Sequence, residues 1–173
     1  MRKGARTLLW AVVCLMAGVT IFQWASAFGG NKEAAADPAE MLFEASLFQM
    51  ELLASHAAEA ARAVSTGELN GLKQAAYSVE FTHERLRRAS GGDIPELASV
   101  TELLEWIVRL QIGGERKLRP DENERLAAAA PHFAEMHDAY AALRRGGREG
   151  AAAAERVKQA DGKIHMIVTG EPQ

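Results

Sequence analysis

Cysteine occurs once in the 173 residues, at Cys14 inside the most apolar stretch, so the body of the chain holds no thiol. Disulfides, zinc ribbons and cysteine nucleophiles are thereby excluded. Proline occurs only five times, while roughly a fifth of the residues are alanine, the strongest helix former. An all-β chain is excluded, and an all-α fold is expected. Also missing are a G-x-S-x-G elbow, a P-loop, a dinucleotide-binding glycine fingerprint and an H-E-x-x-H zinc motif. Without them the sequence offers no reaction, and a noncatalytic protein is expected.

A basic excess is lacking too. Residues 1–27 contain Arg2, Lys3 and Arg6 and no acid, which leaves 17 basic against 23 acidic side chains in the rest. Phosphate backbones require the opposite balance, so nucleic acid is not an expected partner. The local basic spots, Arg85/Arg87/Arg88, Arg116/Lys117/Arg119 and Arg144/Arg145/Arg148, fall at or just beyond helix ends, where cations complement the helix dipole.

What is present begins with those three N-terminal cations, an apolar run from Leu8 to Phe22 and the small-x-small triplet Ala25-Ser26-Ala27, the makings of an export signal. Residues 7–27 are also long enough to span a bilayer, and Trp10 and Trp24 stand near the two ends as an interfacial aromatic belt would. Residues 1–27 are therefore a signal peptide or a signal-anchor helix, with the anchor slightly favoured over secretion, and the body is expected outside the cytoplasm. Cys14 reads as a small apolar residue within that segment, since Val12 and Val13 precede it where a lipidated cysteine needs small residues.

After a linker over 28–36, the body (37–169) reads as a mostly antiparallel up-and-down bundle of four to five helices, with a frayed tail at 170–173. Asp37-Pro38-Ala39-Glu40 supplies a cap, proline at the first helical position and glutamate three after the cap. The helix it opens is expected to run to about Ser65. Phe43, Leu47, Met50, Ala54, Ala57, Ala61 and Val64 mark one narrow stripe on it that faces a partner helix. A tight turn at Thr66-Gly67 leads to a second helix ending near Ala89, with the stripe Leu69, Leu72, Ala76, Val79, His83 and Leu86. Asp93-Ile94-Pro95-Glu96 opens a third, reaching Ile112 and carrying Leu97, Val100, Leu104 and Ile107 with Leu103, Trp106 and Leu110 beside them. As the most hydrophobic helix it is expected at the bundle centre. Pro120 begins a fourth, which Pro131 should kink or split before Phe133, Met136, Tyr140 and Leu143. A fifth, over about 149–168, buries Val157, Ile164 and Ile167, with Gly162 as a weak point.

The stripe residues Phe43, Leu47 and Met50, together with Trp106, are the candidate contact surface for a partner. Trp106 reads first as a large core or domain-edge residue, with an anchor for a partner protein as the sharper alternative. A polar candidate is Glu80-x-x-His83, whose i, i+3 spacing places two ligands on one helical face, as in di-iron bundles. Such a site needs the motif twice. His56, His132, His137 and His165 follow Leu53, Ala129, Ala134 and Gly162 by three, so His83 is expected to be a hydrogen-bonded interface histidine, with no metal or other cofactor. His132 and His137, five apart, point to different sides of their helix.

Leu103-Leu104-Glu105-Trp106-Ile107-Val108, Gly113-Gly114, Leu118-Arg119-Pro120-Asp121-Glu122, Leu126 and Leu143 together resemble the N-terminal helical part of spore germination proteins of the YpeB type, over about a quarter of the chain. Those proteins begin with a signal-anchor and hold a cortex-lytic enzyme, so the resemblance implies a noncatalytic extracytoplasmic helper. The expected function is protein-protein interaction with another extracytoplasmic or membrane protein, the alternative being a bundle that senses a small ligand or signal. A monomer is expected, because four further helices can cover the first stripe. Membrane fractionation with N-terminal sequencing tests the reading of residues 1–27. The anchor predicts intact chain that resists a carbonate wash, whereas soluble protein starting at Phe28 rejects it.

Overall fold

A computed structural model describes residues 37–170, and the readings for residues 1–36 and 171–173 lie outside them. Helix accounts for 82% of the described residues, which places this part in the all-α class. The helices are α1 (Pro38–Ala60), α2 (Asn70–Ala89), α3 (Ala98–Gln111), α4 (Pro120–Ala142) and α5 (Gly147–Thr169). Single 3-10 turns, Thr66–Leu69 and Leu143–Arg145, lead into α2 and follow α4. None of these helices is long and apolar enough to cross a membrane.

Each helix packs chiefly against two others, in the spatial order α1, α2, α3, α5, α4 and back to α1. The result is a closed ring around one core, with no helix at its centre. This corrects the expectation for the third helix. α3 is the shortest of the five, and part of its apolar content faces outward, at Val108 and Ile112. Most neighbours run antiparallel. Phe43 at the start of α1 stacks on Tyr140 near the end of α4, Lys73 and Gln111 join the start of α2 to the end of α3, and Lys163 pairs with Glu135 between α5 and α4. The α3–α5 seam is parallel, since Ser99 meets Asp161 and Glu102 meets His165.

α1 ends five residues before the expected Ser65. Val64–Thr66 leaves the helix to pair with Arg116–Leu118, Thr66 N–H donating to the Arg116 carbonyl (2.8 Å) and Leu118 N–H to that of Val64 (2.9 Å). The buried residues of α1 are Phe43, Ser46, Met50, Leu53, Ala57 and Ala60. The expected stripe is thus right at Phe43, Met50 and Ala57 but one residue out at the positions between. Leu47 and Ala54 lie at the core margin, and Val64 is exposed.

Pro131 does not split α4. It sits on the exposed face with Ala127, so the Ala127 carbonyl, which lacks the usual N–H partner from residue 131, is left to water. The start of α3 also differs. Residues 94–96 stay outside the helix, and the helix N-terminus is capped by Asp161 of α5, whose Oδ1 accepts from Ser99 N–H (3.1 Å) and Ser99 Oγ (2.6 Å). Gly170 closes α5 in the left-handed conformation, with its N–H on the Met166 carbonyl.

The two loops at the far end of the bundle are joined through Thr66. Its Oγ1 donates to the Gly114 carbonyl (3.3 Å) and accepts from Arg116 N–H (3.1 Å), and its carbonyl accepts from Gln111 Nε2 (2.7 Å). Beside it the buried Glu122 receives both Arg116 guanidinium nitrogens, at 2.8 and 2.7 Å, and the Arg119 N–H at 2.8 Å. Arg116 chiefly holds the Glu122 carboxyl down to about 2, against an opposing contribution from burial. Arg116→Ala leaves this buried carboxylate short of its main partner and is expected to lower the urea midpoint clearly. A loss under about 0.5 kcal/mol, the surface range, would refute the assignment.

Candidate functional site

Two places on the described residues carry features that packing alone does not account for. The first surrounds the polar candidate. His83 is buried between α2 and α4, with Nε2 donating to the Pro95 carbonyl (2.9 Å) and Nδ1 accepting from the Tyr140 hydroxyl (2.9 Å). A carbonyl can only accept, so Nε2 carries the proton, and in the neutral ring that burial favours, Nδ1 accepts from the Tyr140 hydroxyl. Burial lowers the ring's pKa and Arg87 adds to the effect, while the Pro95 carbonyl opposes them. Burial likewise raises the Tyr140 hydroxyl well above its ordinary value. Ser46 stands close enough to Tyr140 to offset that slightly, yet its Oγ meets no partner in hydrogen-bond geometry.

Glu80 does not join this group. Its carboxylate accepts from Thr101 Oγ1 on α3 (2.9 Å), so the i, i+3 pair of the sequence separates into a surface hydrogen bond and a core histidine. Among the described residues no three His, Cys, Asp or Glu side chains converge on a point where a metal could sit. Glu80 and His83 do border one cleft between α2 and α3, of about 270 Å³, with Arg87, Arg88 and Glu96 also on its wall. Its charges are paired with one another: Glu84 takes Arg87 and Arg88, and Glu96 lies 4.0 Å from Arg87.

The second place is the outer side of the α1–α2 hairpin. At 3.6 residues per turn, Met41, Ala45, Phe48 and Leu52 line up on the side of α1 opposite its core residues. On α2, Tyr77 and Phe81 occupy the matching outer side. Met41 is 59% exposed, Phe48 56%, Tyr77 56% and Phe81 49%. Between the two ridges lies a shallow groove lined by Gln49, Gln74, Tyr77, Ser78, Phe81 and Thr82, without a charge. At its rim the Arg85 guanidinium lies 3.2 Å over the Phe81 ring and donates to the Phe81 carbonyl.

The sequence candidates for a contact surface lie elsewhere. Phe43, Met50 and Trp106 are buried in the common core, and Leu47 packs against its edge. The partner helices of that stripe belong to the same chain. Sequence reading passed over Met41, Phe48, Tyr77 and Phe81, although the 4-3-4 spacing of Met41, Ala45, Phe48 and Leu52 was available as a signal. The basic spots are largely occupied. Arg116 holds Glu122, Arg144 reaches Glu40 at 3.2 Å, and Arg145 reaches Glu149 at 3.6 Å.

No protein-family model, curated protein or solved structure matches the chain.

Because its folded pKa is lowered, His83 contributes stability that is complete above the ordinary value near 6.5 and is lost as pH falls below it. Unfolding free energy should therefore decline between about pH 7 and pH 5 in the wild type, and the decline should shrink in His83→Gln. An NMR titration that gave His83 an ordinary or raised pKa would contradict the hydrogen-bond assignment.

Proposed function

We propose that this protein is an exported, noncatalytic helical bundle, tethered through residues 7–27, that acts by contact with another extracytoplasmic or membrane protein. The observation that carries the reading is the outer α1–α2 face. Soluble monomers seldom leave several large apolar side chains together in water, and such patches mark contact surfaces. Aromatic residues and methionine enriched over charge are the composition of an interface centre. The resemblance of the Leu103–Leu126 region to YpeB-type helper proteins points the same way.

The alternative, a small-ligand or signal sensor, draws on the α2–α3 cleft. There a ligand would compete with Glu84 for Arg87 and Arg88 and with Glu96 for Arg87. Contact with a protein across the uncharged groove meets no such competition. A thermal-shift screen of metabolites and metals on folded protein would favour the sensor if any compound raised the melting temperature.

The leading reading is tested with a photo-crosslinking amino acid placed at Phe48, Phe81 or Ala128 of the full chain in intact cells. Protein adducts are expected from positions 48 and 81 and not from Ala128, which is exposed on α4. Phe48→Glu with Phe81→Glu should leave thermal stability nearly unchanged, since both side chains face water. Absence of protein adducts at both positions would reject the face as a contact surface.

A further inference from the structure

We infer that the outer face of α1 is covered by a second copy of this chain, the two α1 helices lying parallel about a two-fold axis. The inference rests on the contact reading above, names a second copy as the protein that occupies that face, and departs from the monomer expected of the sequence.

The first argument is the spacing. Met41, Ala45, Phe48 and Leu52 recur at 4-3-4 intervals, the seam of a two-helix coil, with Phe43, Met50, Leu53 and Ala57 already facing the chain's own core. A helix that is apolar on both sides is a buried helix, not a surface one. The stripe is also narrow, and the acids Glu40, Glu44, Glu51 and Glu59 belong to the same helix. A helix that lies on lipid carries Lys or Arg on its polar flanks instead.

The second argument is charge, and it fixes the direction. In a coil with this seam, Glu44 and Glu51 occupy one flank of the stripe and Leu42, Gln49 and His56 the other. An antiparallel pair brings like flanks together, so Glu44 meets Glu51 of the second copy. A parallel pair brings unlike flanks together, so Glu44 meets Gln49 and Glu51 meets the His56 side of the second copy, whose ring is held by its own Glu59 at 2.8 Å, and no two like charges face each other. The parallel arrangement also lays the acidic flank of one α1 over the outer side of the other copy's α2. α1 and α2 approach closely where a side chain at Gly71 would lie 2.8 Å from His56 Nδ1, and Gln49 shares the groove with Ser78. That register sets Arg85 level with Leu42 to Glu44. Arg85 is in no ion pair among the described residues, its guanidinium lying over Phe81, and Glu44 of the second copy, which in its own chain lies 3.9 Å from Arg144, supplies one.

Topology agrees. A parallel pair puts Pro38 of both copies at the same end of the seam, which suits the tether proposed above. Tyr77 and Phe81 then flank the second α1 and exclude water from the seam.

The test uses the full chain with Cys14→Ser in cell membranes, carrying a single cysteine at Ala45, Leu52 or Ala128. Facing seam positions of a parallel pair fall within disulfide range, whereas in an antiparallel pair two copies of residue 52 are far apart. Mild oxidation should give disulfide-linked dimer at Ala45→Cys and Leu52→Cys, at least ten times more than at Ala128→Cys. Adding Phe48→Glu should remove it while circular dichroism stays unchanged. Dimer at Ala45→Cys alone would overturn the parallel direction, and equal dimer at all three positions would reduce it to random collision. Protein adducts at Phe48 that contain only other proteins would overturn the second copy yet leave the contact reading standing. Adducts of no kind would remove both.

Discussion

Thr66 is the point on which the arrangement of the bundle depends. Helices pack through loosely directional apolar contact, which leaves their ends free to slide and splay. Hydrogen bonds do not allow that freedom. Every polar group of Thr66 is engaged with the loop between α3 and α4, and the adjacent Glu122 draws Arg116 and the first turn of α4 onto the same spot. One turn between α1 and α2 thus fixes the height of α3 and α4 against them. It also explains why α1 stops at Ala60: the three residues that pair with the other loop must be extended, and the gain from that pairing outweighs another helical turn of Ala61, Arg62 and Ala63.

Much of this fold was legible in the sequence because its signals are local. Pro38 and Pro120 mark helix starts, Gly91-Gly92 and Gly113-Gly114 mark interruptions, and the 3.6 period assigns most of the core. Non-local effects were not legible. Nothing near Ala98 announces that its cap is Asp161, so Asp93 drew attention as the nearest side chain of the right chemistry. The register of two loops is equally invisible until both are placed. That Pro131 does not split α4 has another reason: its effect depends on whether the carbonyl it strands faces water, and that is decided by the orientation of α4 in the ring.

The candidate surface shows the same division more sharply. Apolar residues spaced along α1 satisfy two helical faces at once, and a single sequence does not say which face the chain itself will cover. The stripe that contains Phe43 and Met50 was taken as the surface for a partner because its spacing was regular. Its regularity reflects packing within the chain, against Tyr140 and its neighbours. What remained was the second stripe, with Phe48 at its middle. His83 was read as a hydrogen-bonded interface histidine because a di-iron motif would need a second copy, but Tyr140 and Pro95 as its partners come only from the three-dimensional arrangement.

Asp161 lies 62 residues beyond Ser99, yet it completes the start of the helix that begins at Ala98. As a chain leaves a ribosome or a channel N-terminus first, α1 and α2 can associate through contacts near in sequence, while α3 has exposed amide donors until the last helix arrives. The ring closes only when α5 settles between α4 and α3. A prematurely terminated chain would thus present an unclosed core to its surroundings, and such chains are the ones that chaperones and proteases distinguish from finished ones.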